Sequence, residues 1–263
     1  MMLRDEAVGR TVPGSFMKSA QHIVIDGRVF STEAADRGMG RYVDHLAMLL
    51  VAAGHDVTML LPGPMLVARY SRSGVTARAV TLDDDASSCT AQLNRFLAAC
   101  SATIYLDATP FLPPTRYDIY ACPVVAVLYD LIPMRFPKDY FGPADEYPLD
   151  VYVNGLARVR KADQVIAISQ YVAGHALRYL GIGRDRVAVI EPGVRDEYVA
   201  FARDPPAQPS ADGGVVCIQG AHRSKNFPAA ISFLERLSSA SNCDVDRRKI
   251  SRPKIAFPLS AFV

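Results

Sequence analysis

Short apolar runs alternate with stretches of helical periodicity along most of this chain. The runs contain many β-branched residues and are bounded by Gly, Pro and polar residues, which is typical of buried strands in a parallel sheet. Strands are predicted at residues 22–26, 57–61, 75–82, 103–106, 123–128, 164–168 and 187–190. Helices are predicted at residues 39–53, 91–99, 149–161 and 170–180. A polar loop is predicted at residues 27–38, and a Pro-rich ordered loop at residues 131–148.

The clearest unit of this pattern lies at residues 162–194. A strand at 164–168 is followed by Ser169, which can cap a helix, and Gly181 can end that helix. A second apolar run then follows at 187–190. This strand–helix–strand unit predicts a parallel sheet, and parallel sheets bind their ligands at the carboxyl ends of the strands.

The alternation predicts an α/β fold with a doubly wound, Rossmann-like parallel sheet. This domain is predicted at residues 21–200, after a loose extension at residues 1–20. A linker rich in Pro and Gly is predicted at 201–214, followed by the first strand–helix unit of an incomplete second domain at 215–238. Residues 239–263 show no periodicity and are predicted to be an irregular tail.

Composition and charge narrow the function classes. The chain has 263 residues, of which 50% are hydrophobic and 21% charged, which is typical of a globular protein. Its formal net charge of +2 gives no electrostatic reason to expect a nucleic-acid partner. No apolar run reaches the ~18 residues that a membrane span requires. A cytoplasmic protein, with a peripheral membrane location as the alternative, is therefore expected.

Neither a metal nor a disulfide framework is predicted. The five cysteines form no C-x-x-C pair and are expected to be reduced. Three adjacent carboxylates at residues 83–85 are expected to form a solvated turn, because neighbouring side chains in a loop do not converge on one ion.

The first candidate motif is DRGMGRY, which joins the first strand to its helix. Gly38 and Gly40, with Met39 between them, allow the backbone to approach a ligand, and the amides of a helix N-terminus favour a phosphate or a sugar hydroxyl. A tight strand–helix turn is the alternative interpretation. Val43 stands where a dinucleotide-binding G-x-G-x-x-G motif has its third glycine, so a nicotinamide dehydrogenase is disfavoured.

The second motif is LYDLIPMRFPKDYF, at residues 128–141. Asp130 lies just past the carboxyl end of a buried strand, at the edge where a parallel sheet exposes its site. Its carboxylate can bond sugar hydroxyls or orient a neighbouring group, and capping the next turn is the alternative.

The third motif is QGAHRSKNFPAAISF, at residues 219–233. A strand, a glycine and a basic loop that opens a helix suit a diphosphate, because cations stabilise the charge that develops on such a leaving group. A solvated loop is the alternative.

Together these motifs resemble the retaining, nucleotide-sugar-dependent glycosyltransferases of family 4. The resemblance is most specific at residues 128–141 and 162–194, and covers about residues 22–237. It implies the GT-B architecture of two facing α/β domains, with the acceptor on the first and most of the donor on the second. The implied reaction transfers a sugar from a nucleotide sugar to a glycan or lipid-linked acceptor, with retention and without a metal or other cofactor.

The resemblance also assigns roles to individual residues. Lys225, together with Arg223, would hold the donor diphosphate, beside Gly220 and Asn226. Gly38, Met39 and Gly40 would line the donor side of the cleft from the first domain. Asp130 would be the catalytic carboxylate, and Tyr129 and Arg41 would lie on the acceptor side. Tyr129 stands where many relatives have His, and Ser224 stands where they have the basic partner of Lys225.

Family members also carry an E-x7-E segment that binds the donor sugar, and this chain ends before such a segment. The chain alone is therefore expected to be weak or inactive. An alternative from another class is a non-catalytic acceptor-binding or assembly module that pairs with another glycosyltransferase subunit or with a second copy.

Overall fold

The computed structural model describes residues 19–141 and 148–194, together with Val199, Ala229, Ser232, Phe233 and Arg236. Strands β1–β7 cover His22–Asp26, Asp56–Pro62, Val75–Val80, Ile104–Asp107, Val124–Leu128, Gln164–Ala167 and Val187–Val189. Helices α1–α7 cover Gly38–Ala52, Pro64–Arg69, Ala86–Ala99, Ile132–Arg135, Pro137–Tyr140, Leu149–Lys161 and Gln170–Leu180. Two short 3₁₀ helices cover Arg28–Ser31 and Arg184–Arg186.

Contacts divide the chain into two compact units. The first comprises residues 1–131 and 143–193 and contains all the strands described above. The second comprises residues 132–142 and 194–263, where α4 and α5 lie. The predicted domain boundaries at 200, 214 and 238 lie outside the described residues.

Within the described residues, seven strands form one sheet in the order β3-β2-β1-β4-β5-β6-β7, and every pair is parallel. The chain winds outward from β1 to β3 and then returns to place β4 on the other side of β1. This is the doubly wound, Rossmann-like order, so the predicted α/β fold class is confirmed. The winding reverses between β1 and β4, which is the topological switch point of the sheet.

Helices cover both faces of the sheet. Ile23 and Ile25 of β1 pack in the same cluster as the apolar stripe of α1, whereas Val24 packs in the same cluster as α3. Because successive strand side chains point to opposite faces, α1 and α3 lie on opposite sides of the sheet. The α6 and α7 stripes pack in a third cluster around Leu128 and Ala126.

The predicted start and end signals of α7 are confirmed. The Ser169 hydroxyl accepts a hydrogen bond from the Val172 amide, and Gly181 ends the helix in the left-handed region with φ 63°. Helix α6 has the predicted bounds, Leu149–Lys161, and the α1 prediction is displaced by one residue.

Other segments differ from the prediction. Helix α3 begins at Ala86, five residues before the predicted start, because the Asp85 carboxylate caps it by accepting from the Ser88 amide. The predicted polar loop after β1 contains a 3₁₀ helix in which Arg28 and Val29 are buried. Helix α2 was not predicted; it begins at Pro64, whose fixed φ suits the first helical turn. The loop predicted at 131–148 contains α4 and α5.

Among the described residues, no helix combines the length and apolar character that crossing a membrane requires.

Candidate functional site

The candidate site lies at the carboxyl edge of the sheet, around the switch point. β1 ends at Asp26 and β4 ends at Asp107, and these two strands are neighbours. At such a point the connections leave in opposite directions and open a crevice beyond the strand ends. Helix α1 follows β1 and begins at this edge, so its N-terminus faces the same end of the sheet as the ends of β4 and β5.

The N-terminus of α1 carries backbone donors that have no partner among the residues that the structure describes. The cap residue Arg37 has an extended backbone and makes no capping bond with its side chain. The Gly40 amide donates to the Ala34 carbonyl at 3.1 Å, whereas the Gly38 and Met39 amides make no hydrogen bond within the described residues. Free amides at the positive end of a helix dipole favour a negatively charged or hydroxyl-bearing ligand.

The two glycines of this turn have different surroundings. A Cβ on Gly38 would meet nothing within 4 Å, so its backbone is open to an approaching ligand. A Cβ on Gly40 would lie 2.0 Å from the Ala35 carbonyl oxygen, so the turn packs too closely there for any side chain. The turn interpretation therefore accounts for Gly40, and packing gives no reason for a glycine at Gly38.

We expect Gly40→Ala to lower the free energy of unfolding by about 1–3 kcal/mol, because the new methyl group must displace backbone. Gly38→Ala is the matched control, since it adds the same group in open space at a helical position, and it should change stability by less than about 0.5 kcal/mol. Urea unfolding of both variants measures this. Equal losses in the two variants would contradict the distinction.

Tyr42 joins three segments at this edge. Its ring contacts the Tyr129 ring edge-on, with centroids 5.8 Å apart, and its hydroxyl donates to the Ile190 carbonyl at 2.9 Å. Tyr129 follows β5 and Ile190 follows β7, so α1 is tied to the ends of both strands. The structure thus brings the turn before α1 and the end of β5, which the sequence marked separately, to one edge of the sheet.

The remaining predicted residues differ in exposure. Asp130, directly after Tyr129, is exposed, and Arg41 is exposed on α1. Met39 is half-buried and packs against the core beneath α1. The Tyr129 hydroxyl is buried without a hydrogen-bond partner in the described residues, and burial raises the pKa of Tyr129 above its usual value. Gly220, Arg223, Lys225 and Asn226 lie outside the described residues.

A buried ionic network at the switch point was missed in the sequence. Its centre is Arg28, whose Nε donates to both oxygens of the Asp26 carboxylate at 3.0 Å. Its Nη1 donates to the carbonyls of Leu112 and Pro114 at 2.7 and 2.6 Å, and its Nη2 donates to the Tyr117 hydroxyl at 2.9 Å. Burial alone would lower the pKa of Arg28, but the facing Asp26 carboxylate holds it above its usual value.

Arg158 of α6 completes the network from the other side. Its guanidinium donates to the Asp107 carboxylate and to the Tyr117 hydroxyl, and it lies over the Tyr117 ring at 3.9 Å from the centroid. Burial raises the pKa of Asp107, and Arg158 opposes that rise. Asp107 Oδ1 has no hydrogen-bond partner within the described residues.

The network holds the segment after β4 against the sheet. Arg28 bonds carbonyls at residues 112 and 114, and Arg158 bonds the carbonyl of Pro110 at 3.3 Å. Gly155 of α6 lets the Phe111 side chain approach the helix, since a Cβ there would lie 2.4 Å from it. The segment after β4 is therefore held in place by buried charge.

In the part of the chain that the structure describes, no group of three or more His, Cys, Asp or Glu side chains could hold a metal ion. Metal-independent chemistry stays a prediction.

A family model described as Glycosyltransferase Family 4 matches residues 37–198, which is more than half of the chain. The chain belongs to glycosyltransferase family 4. The match begins directly before α1 and runs past β7, so it contains the N-terminus of α1 and the end of β5. The resemblance seen in the sequence motifs is thereby confirmed.

Curated relatives of this family 4 chain include the serotype-specific mannosyltransferase WbdA of Escherichia coli. One such protein is 25% identical over 209 residues, which is 68% of this chain and 25% of the relative. Another is 38% identical over 77 residues, which is 29% of this chain and 9% of the relative. The chain thus spans a quarter or less of the length of these relatives.

Solved structures similar to the family 4 chain include a glycosyltransferase from Rickettsia africae ESF-5. It is 17% identical, with 72% of this chain and 47% of that chain covered and a TM-score of 0.44. The complex of Anabaena Alr3699/HepE with UDP is 14% identical, with 67% of this chain and 45% of that chain covered and a TM-score of 0.38.

Proposed function

We propose that this family 4 chain takes part in transferring a sugar from a nucleotide sugar to a glycan or lipid-linked acceptor. The observation that carries the proposal is that the family match falls on a doubly wound sheet whose switch-point edge holds free helix amides and an exposed carboxylate. The relatives named mannosyltransferase make a mannosyl donor the first to test.

The chemistry of this edge suits the reaction. As the glycosidic bond of a nucleotide sugar breaks, negative charge develops on the leaving diphosphate, and oriented amides or cations stabilise it. The Gly38 and Met39 amides are such donors, and we assign Lys225, with Arg223, to the same role. Asp130 is assigned to the transferred sugar, where its carboxylate accepts hydrogen bonds from hydroxyls. Tyr129 and Arg41 are assigned to the acceptor, and transfer without a metal remains part of the proposal.

A binding experiment is the simplest test of this proposal. Equilibrium dialysis of the purified chain against radiolabelled GDP- and UDP-linked hexoses should show saturable binding of at least one, competed by the matching nucleoside diphosphate. No saturable binding of any donor would overturn the proposal. Co-purification of a second glycosyltransferase subunit would instead favour the assembly-module alternative, which stays a prediction.

We expect Lys225→Ala to weaken nucleotide-sugar binding by about tenfold or more, because a charge-assisted hydrogen bond to a phosphate is lost. Lys254→Ala is the matched control: it removes the same charge from the tail that lies beyond the resemblance to family 4. Calorimetric titration of both variants with the best donor measures the difference. Unchanged affinity in Lys225→Ala would remove this lysine from the donor site.

A further inference from the structure

A groove lies between α3 and α6. Its volume is about 550 Å³, within the ~300–1,000 Å³ typical of small-molecule sites. The segment at residues 115–120 lines it, and Tyr120 and Lys161 at one end come just before the amino ends of β5 and β6. This end of the groove is therefore opposite to the carboxyl edge, where the donor is assigned.

The groove is open because the side chains that form its walls are small. Ala86 and Ala91 on α3 and Ala157 on α6 line the two sides. Buried Tyr117 and Arg158 also line it, and their stacked arrangement is fixed by the ionic network. A cavity with small walls and a rigid floor is preorganised, so a ligand would bind without ordering the protein first.

Charges around the groove are balanced. Lys161 pairs with Asp118 at 2.8 Å, and Arg116 pairs with Asp150 at 3.5 Å, both in exposed positions. Paired charges give no net attraction for a phosphate or another anion. They do present closely spaced donors and acceptors, which is the pattern that matches hydroxyl groups, each of which both donates and accepts.

An exposed aromatic residue also lines the groove. Tyr120 lines the groove with 74% of its surface exposed, and Asn154 of α6 lines it as well. An exposed ring has an apolar face on which the C–H face of a sugar can stack, and a side-chain amide can bond two hydroxyls.

We infer that this groove binds a neutral glycan, as a second sugar site that holds part of the acceptor chain outside the crevice. The choice of ligand class rests on the proposed function as well as on the lining. The groove positions the acceptor and takes no part in bond breaking.

The test is an NMR titration of the full 263-residue chain with α-linked mannotetraose, in the absence of nucleotide. Binding should shift the resonances of Tyr120 and Asn154. Tyr120→Ala should weaken binding by about tenfold, the loss expected when an aromatic anchor is truncated. Tyr120→Phe should keep the affinity, because the ring remains. Tyr171→Ala, which removes another exposed tyrosine on α7, is the control and should bind like the wild type.

Ala91→Trp provides a second test, because the large ring should fill the groove and abolish binding. If that variant fails to fold, Tyr120→Ala still tests the inference, because Tyr120 is exposed and its truncation should not disturb folding. No binding by the wild type, or wild-type affinity in Tyr120→Ala, would overturn the inference. Donor binding is measured on the same samples. A wild-type chain that binds the donor but no tetraose counts against the groove alone, and a wild-type chain that binds the tetraose but no donor counts against the proposed donor site alone.

Discussion

Arg158→Met is expected to lower the free energy of unfolding by about 3–5 kcal/mol, because it leaves the buried Asp107 carboxylate without its cation. The two side chains are only 8% and 2% exposed, so water cannot replace the lost partner without opening the segment after β4. Methionine keeps much of the packing of the arginine stem, so the loss reports mainly on the charge. Chemical unfolding followed by circular dichroism measures it.

Arg116→Met is the matched control for this prediction. Arg116 pairs with Asp150 at 3.5 Å with both side chains more than half exposed, so its loss should cost at most about 0.5 kcal/mol. The double variant Arg158→Met with Asp107→Leu should be more stable than Arg158→Met alone, because no unpaired charge remains buried. A loss of less than about 1 kcal/mol in the single variant, or no recovery in the double variant, would show that the network is not a tightly coupled ion pair.

A second large effect is expected on the affinity for the nucleotide sugar. We expect Asp130→Ala to weaken the binding of a nucleotide sugar by about 10- to 100-fold, which corresponds to losing a hydrogen bond to a charged group of ~1.5–3 kcal/mol. Affinity for the matching nucleoside diphosphate should not change, since Asp130 is assigned to the sugar. Calorimetric titration of both ligands gives the ratio.

Asp84→Ala is a suitable control, because it removes an exposed carboxylate from the turn before α3. An equal loss for the nucleotide sugar and the nucleoside diphosphate would show that Asp130 acts on the diphosphate or on the fold. Full affinity for both ligands would remove it from the site.

The sheet was readable from the sequence because a strand buried on both faces needs a continuous apolar run. β5 and β6 are such runs, and Ser169 and Gly181 are local signals that act over one helical turn. The start of α3 was missed because Ala86–Thr90 is short of apolar residues, with only Cys89 buried there. Its true signal was Asp85, an acidic residue three positions before the amide that it caps.

The ionic network could not be predicted from the sequence pattern. Asp26, Asp107 and Asp130 all come at the end of apolar runs, so the sequence presents them alike. Asp26 and Asp107 are buried and paired with Arg28 and Arg158, whereas Asp130 is exposed. Arg28 bonds carbonyls 84 and 86 residues away, and no local pattern contains that information. A polar residue at a strand end therefore marks the edge of the sheet, while its role depends on tertiary partners.

We propose that the nucleotide sugar binds at the switch-point edge, between the N-terminus of α1 and the end of β5. Chemical-shift mapping of the isotope-labelled chain with its best donor tests this most directly. We expect saturable shifts at the Gly38 and Met39 amides and at Asp130, while the resonances of residues at the amino edge, such as His22, stay unchanged. Saturable binding that leaves Gly38, Met39 and Asp130 unshifted would contradict it.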